Sequence, residues 1–191
     1  MQFLIYLMAA ILTSLTFGLG TAFLAVRDFD GFRSIESNGW VARPGSGSPD
    51  ADPYEQARRA RSRHVPLGAG EGLTFETWTD SKGVALDGNC SYRLVGGSLP
   101  ARLWTIVVLD QNNKPMANPS NRYGLHSQQL MFDADKKFNI WLSNRPRPGN
   151  WIPTATSTKL HLLIHLYDSP IASGSDLAEV TMPVIEREDC P

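Results

Sequence analysis

The first 26 residues, Met1 to Val26, lack any charged side chain. Basic residues are not in excess either: 18 Lys and Arg stand against 19 Asp and Glu. That balance excludes the strong positive surplus of a dedicated nucleic-acid binder. The chain has no P-loop, no G-x-G-x-x-G, no G-x-S-x-G and no C-x-x-C. No phosphate-cradling loop, dinucleotide fingerprint, nucleophile elbow or redox dithiol can therefore be read, and no cofactor is expected. Internal repeats are missing, and cysteine is scarce, with Cys90 and Cys190 alone.

What is present begins with the uncharged segment. A helix needs roughly 20 apolar residues to cross a bilayer, so residues 1–26 are long enough to be a transmembrane anchor and make the membrane a partner. A cleaved signal peptide is the competing reading, with Gly20 and Ala22 as small residues near a cleavage point, but its charged leading region is missing. Arg27 and Arg33 follow the segment, which by the positive-inside bias would keep the body in the cytoplasm, although large domains translocate largely regardless of charge. The two cysteines point the other way if they form a disulfide in an oxidising compartment. Two unrelated thiols are the alternative.

Residues 27–52 read as a tether, because VARPGSGSPDADP has no periodic apolar pattern. A short helix is expected over 53–65, with Asp52 as N-cap, Pro53 at the first helical position and Glu55 completing a capping-box-like start. Arg58, Arg59, Arg61 and Arg63 make it basic, suited either to anionic lipid headgroups or to a solvated face. From 66 to 191 the pattern is β. LTFETWTD alternates, Ser91 to Val95 is a short strand, and LWTIVVLD (Leu103–Asp110) is apolar on both faces, as a central strand is. LHSQQLMF and KFNIWLS flank an expected hairpin at Asp133 to Asp135. The segments QNNKPMANPSN and RPRPGNWIPT read as long loops, and a last strand is expected near Ala178 to Val184. The fold class is therefore all-β, an antiparallel β-sandwich or jelly-roll-like domain behind one transmembrane helix and a short amphipathic helix.

LHLLIHLYD carries two histidines four residues apart. Leu160, Leu162, Ile164 and Leu166 alternate, which is the period of a half-buried strand. Four residues along a strand span about 13 Å, far beyond the pair of roughly 2 Å bonds one metal ion would need. No shared metal site is expected of His161 and His165. With Tyr167 they instead give one strand face a half-polar character fit to line a groove.

Other chemical candidates are thin. Asp133 and Asp135 resemble the start of a calcium loop, but Lys136 and Lys137 stand where further oxygen ligands belong. Asp110 reads as a turn residue. Asn89-Cys90-Ser91 fits the glycosylation pattern, which is common by chance. The loop groups Asn121-Arg122-Tyr123 and Asn150-Trp151 combine amide, guanidinium and aromatic groups, which suit a polar small molecule such as a sugar. The same side chains also serve as loop braces and sandwich plugs.

The stretches DADPYEQARRAR, VPLGAGEGLTFETWTDSKGVALDGNCSYRLVGGSLPARLWTIVVLD, NRYGLHS, and NWIPT followed by LHLLIHLYD together resemble the bacterial domain-of-unknown-function family 1214 in its short, membrane-anchored form. The resemblance runs from about Trp40 to Cys190. It implies an envelope protein with a β-sandwich, and longer relatives carry another uncharacterised domain before this module. It also implies a disulfide between Cys90 and Cys190, since the short form places cysteines at both positions, and hence a periplasmic body on an inner-membrane anchor. His165 stands where the family often has Arg. The expected role is a binding or interaction module, with Arg102, Trp104, Asn121, Arg122, Tyr123, Asn150, Trp151, His165 and Tyr167 lining one surface. Arg102 and Arg122 would take anionic or hydroxyl groups, and Trp151 and Tyr123 would stack. An envelope enzyme acting on glycan or lipid-linked substrates, with Asp168, Glu76 or His165 as acid or base, is the first alternative. A purely structural domain that pairs with another envelope protein is the second.

Overall fold

The computed structural model describes residues 2–28, 34–49, 51–62, 65–68, 70–155, 159–173 and 180–190. Among these described residues two α-helices, α1 (Gln2–Asp28) and α2 (Pro53–Ser62), accompany ten strands. These are β1 (Ile35–Ser37), β2 (Trp40–Ala42), β3 (Gly72–Thr77), β4 (Ser91–Gly96), β5 (Leu103–Asp110), β6 (Gly124–His126), β7 (Phe138–Ser143), β8 (Asn150–Pro153), β9 (Leu160–Tyr167) and β10 (Val184–Asp189). They form a six-stranded sheet in the order β1-β2-β3-β9-β5-β6 and a four-stranded sheet in the order β10-β4-β7-β8. The architecture is mostly β and sandwich-like. Arg33, Arg63 and the Ala178–Glu179 start of the expected last strand lie outside the described residues.

Strand periodicity builds the core. On β9, Leu160, Leu162, Ile164 and Leu166 are fully buried, and so are Phe75 of β3 and Ile106 of β5 beside them. They face Tyr92, Leu94, Phe138, Ile140, Leu142 and Ile185 of the smaller sheet, which are buried just as completely. β9 pairs antiparallel with β3 on one side and β5 on the other. The strand is thus interior to its sheet, and the same registers decide which residues share its outer face. α2 starts as expected: Asp52 Oδ1 accepts from the amides of Tyr54 (2.9 Å) and Glu55 (3.1 Å), satisfying two donors that a helix start leaves open. No residue of the Gln2–Val26 segment of α1 is buried, and the segment has a mean hydropathy of 1.9 and is long and apolar enough to cross a membrane.

Four expectations are corrected. The 27–52 segment contains β1 and β2, and Trp40 is a fully buried core residue. Its indole N–H donates to the Pro183 carbonyl at 2.8 Å, and Asn38 Nδ2 donates to that of Met182 at 2.6 Å. Three-residue strands are too short to carry a readable period. Second, the sheets are not wholly antiparallel, since β7 and β8 run parallel. Parallel neighbours usually need a crossover of a dozen or more residues, whereas here residues 144–149 return the chain, and β8 lies inside the expected RPRPGNWIPT loop. Third, LHSQQLMF divides: β6 joins the large sheet beside β5, and only Phe132 bridges to Phe138. The turn between them is closed by Asp133 Oδ1, which accepts from the amides of Asp135 (3.0 Å) and Lys137 (2.8 Å). Fourth, the last strand lies later than expected, at Val184–Asp189 against β4.

Cys90 and Cys190 form a disulfide across a separation of 100 residues. It ties the chain's end to the start of β4. In the chain-entropy account such a closure removes about 4–5 kcal/mol of unfolded-state freedom. Together with the N-terminal apolar helix, it suggests an envelope location. Replacing both cysteines by serine should lower the unfolding free energy by roughly 2–5 kcal/mol, read from urea midpoints. In intact cells both thiols should resist maleimide until a reductant is added, and ready labelling without reductant would contradict the bond.

Candidate functional site

The outer face of the six-stranded sheet carries the polar residues that the core face rejects. On β3 these are Thr74 and Glu76. On β9 they are His161, His165 and Tyr167, separated by Leu163. Pairing places Thr74 opposite His165 and Glu76 opposite Leu163. Glu76 thus comes within reach of His161, 85 positions away in sequence. His161 is nearly fully buried: its Nε2 lies 3.1 Å from Glu76 Oε2 and its Nδ1 2.7 Å from Asn113 Oδ1. The Trp78 ring stacks on the imidazole, with centroids 3.9 Å apart and planes 8° from parallel. Each ring nitrogen thus faces a side-chain oxygen, and an aromatic face lies against the imidazole.

The second Glu76 oxygen, Oε1, accepts from the Arg43 guanidinium in a close ion pair. Burial by itself would raise the Glu76 carboxyl. The hydrogen bond from His161 and the charges of Arg43 and His161 outweigh it and hold the group down at about 2. Arg43–Glu76–His161 is therefore a fixed cation–anion–imidazole array. It forms one wall of a cavity of ≈ 340 Å³, and α2 supplies the opposite wall with Glu55, Arg58, Arg59 and Arg61. That volume falls at the lower end of small-ligand sites.

The nine residues expected on one surface fall in three places. Trp104 is a core residue, 4% exposed and tilted against Phe138 at 5.0 Å between centroids. Asn121, Arg122, Tyr123 and Asn150 line a second hollow of ≈ 550 Å³. Trp151 adjoins this group through its carbonyl, which accepts from Arg122 Nη1 at 3.2 Å. Within the hollow the Asn150 carboxamide is spent on backbone: it accepts from the Met131 amide and donates to the carbonyls of Met131 and Asn139. Arg102, His165 and Tyr167 belong to the far end of the β5–β9 pair. There His165 Nδ1 is 3.0 Å from Thr74 Oγ1, and its ring lies 6.2 Å from that of Tyr167.

Of the three acid–base candidates, only Glu76 lines the first cavity. Asp168 pairs with Arg102 at 2.8 Å, but both side chains are largely exposed, so the pair contributes little. No local sequence pattern links His161, Asn113, Trp78 and Arg43 as partners. The only sequence cue was the half-polar face of β9. Among the described residues, no group of three or more His, Cys, Asp or Glu side chains could hold a metal ion.

Glu76 binds a proton less readily in the folded chain than its ordinary value of 4.5 would allow. Its contribution to stability is therefore complete above about pH 4.5 and is lost as the pH falls towards 2. With 31% of the side chain meeting solvent, that contribution is on the order of 2 kcal/mol. Glu76→Gln should destabilise the chain at pH 7, and the gap to wild type should close between pH 4.5 and 2.5. Parallel acid-unfolding curves by circular dichroism would test this. A gap independent of pH would show that the carboxylate charge is not what matters.

No curated protein matches the chain. Among solved structures, the crystal structure of the VPA0106 protein from Vibrio parahaemolyticus is similar in fold, with a TM-score of 0.59 and 20% identity. That match covers 73% of this chain and 36% of the other. An uncharacterised protein from Burkholderia cenocepacia matches at a TM-score of 0.42 and 18% identity, over 96% of this chain and 52% of that one. The chain thus spans only about a third to a half of these structures. A family model described as "Protein of unknown function (DUF1214)" matches residues 71–171, just over half of the 191. The matched span takes in β3 to β9 and with them Glu76, Asn113 and His161, and the chain belongs to the DUF1214 family.

Proposed function

We propose that this protein is a single-pass component of the bacterial inner membrane, anchored by α1, whose sandwich faces the periplasm and serves as a ligand-binding module. The length and apolarity of α1 support the anchor. The Cys90–Cys190 disulfide supports the oxidising side of the membrane. The binding role is carried by the Arg43–Glu76–His161 array at the wall of the cavity facing α2. Sheet pairing holds these charges in place before any ligand arrives, so a ligand would meet a preorganised polar surface.

Catalysis is the less supported use of the same groups. A general base needs a lone pair within reach of the substrate and a pKa near the working pH. One Glu76 oxygen is already engaged by Arg43 and the other by His161, its carboxyl sits near 2, and both His161 nitrogens have partners. The hollow lined by Asn121, Arg122 and Tyr123 is a second proposed contact surface, in which Arg122 would meet hydroxyl or anionic groups and Tyr123, 39% exposed, would stack.

Native mass spectrometry of the full chain, extracted from envelopes in mild detergent, tests the binding role. A specific retained mass is expected, and Arg43→Gln should remove it while leaving the circular dichroism spectrum unchanged. A clean apo mass in detergent and in lipid nanodiscs alike would count against a binding module.

A further inference from the structure

The cavity's position relative to α1 restricts what it can receive. α2 lies against the C-terminal end of α1, where the Arg61 guanidinium sits 5.5 Å from the centroid of the Phe23 ring. Phe23 belongs to the last turn of the Gln2–Val26 apolar segment, and Val26 itself lines the cavity. α2 is therefore held at the level where α1 would leave the hydrocarbon. Four guanidiniums, Arg43, Arg58, Arg59 and Arg61, line the space against two carboxylates, Glu55 and Glu76. Arg58 Nη2 donates to Glu55 Oε2 at 3.0 Å. Its Nε–H is buried without a hydrogen-bond partner among the described residues, a donor that an oxygen anion would satisfy.

Guanidinium groups match phosphate oxygens in geometry as well as charge. A phospholipid beside α1 carries its phosphate just outside the hydrocarbon, at the height of α2. We infer that this cavity receives the phosphate of an anionic phospholipid from the surrounding leaflet, with Arg58 and Arg61 as its main contacts. The inference rests on the reading of α1 as an anchor and of the cavity as a ligand site. Soluble phosphate shares the chemistry, but the apolar flank formed by Val26 and Phe23 favours a ligand whose acyl chains lie along α1.

The test uses the full chain in nanodiscs of equal phosphatidylglycerol and phosphatidylcholine, released into a native mass spectrometer. Phosphatidylglycerol adducts should exceed phosphatidylcholine adducts roughly tenfold, the scale of one to two basic side chains at a membrane surface. The double variant Arg58→Gln/Arg61→Gln should bring the ratio near one. Arg93→Gln/Arg147→Gln, which removes two cations flanking Trp141 on the smaller sheet, should leave the ratio high. Equal retention of the two lipids by the wild type, or a preference that survives the α2 change, overturns the inference. A second arm adds inorganic phosphate to detergent-held protein. If phosphate is retained and the lipids are not distinguished, the lipid source is wrong while the binding module stands. Retention of some other, Arg43-dependent mass has the same meaning. Only an apo mass in every arm removes both.

Discussion

The structure depends on β9 being buried on both faces. Its inner face packs Leu160, Leu162, Ile164 and Leu166 against the second sheet, and His161 and Leu163 on the outer face are almost as inaccessible. A buried polar group without a partner costs roughly 1–3 kcal/mol. An interior strand carrying a histidine on its covered face must therefore be met by acceptors from its neighbours. Glu76 from β3 and Asn113 from the loop after β5 meet that need. Arg43, two steps beyond β2's Val41 partner of Glu76, then neutralises the carboxylate. The polar array is a consequence of the sheet order.

This has a bearing on what the site can do. A carboxylate held down at about 2 between Arg43 and His161 keeps its charge through any physiological pH, and an imidazole with both nitrogens engaged is already committed to its partners. Such an arrangement sets a constant local field, suited to holding a ligand in one orientation. The opposite wall is basic: there α2 carries arginines on a ten-residue helix capped by Asp52. One rigid wall belonging to the sheet thus faces a basic helix whose position is tied to the apolar segment through Arg61 and Phe23.

Much of the fold was legible locally. The uncharged segment, the Asp52–Pro53 helix start, the Leu103–Asp110 strand and the alternation of β9 each carry their signal within a few residues, because period and capping are local properties. The short strands β1 and β2 and the parallel β7–β8 pair were not legible. A three-residue strand has no period, and parallel pairing depends on where a loop delivers the chain. The site fared similarly. Glu76 and His165 stand out singly in the sequence, and Arg122 and Tyr123 are chain neighbours that line one hollow. Trp104 looked like a candidate because tryptophan is at home both in a core and in a binding face.

By itself, the sequence determined that an apolar segment precedes a β-rich body, that β9 has one apolar and one half-polar face, and that the two histidines on that face stand about 13 Å apart along the strand. Those conclusions follow from composition and from the fixed rise and alternation of a strand. Which residues meet was decided only in the tertiary structure. Glu76 lies 85 positions from His161 and 33 from Arg43, and no pattern in one strand states which strand will lie beside it. Strand pairing chose the neighbours, burial made their partnership obligatory, and the placement of α2 over that face turned a satisfied polar cluster into the wall of a cavity.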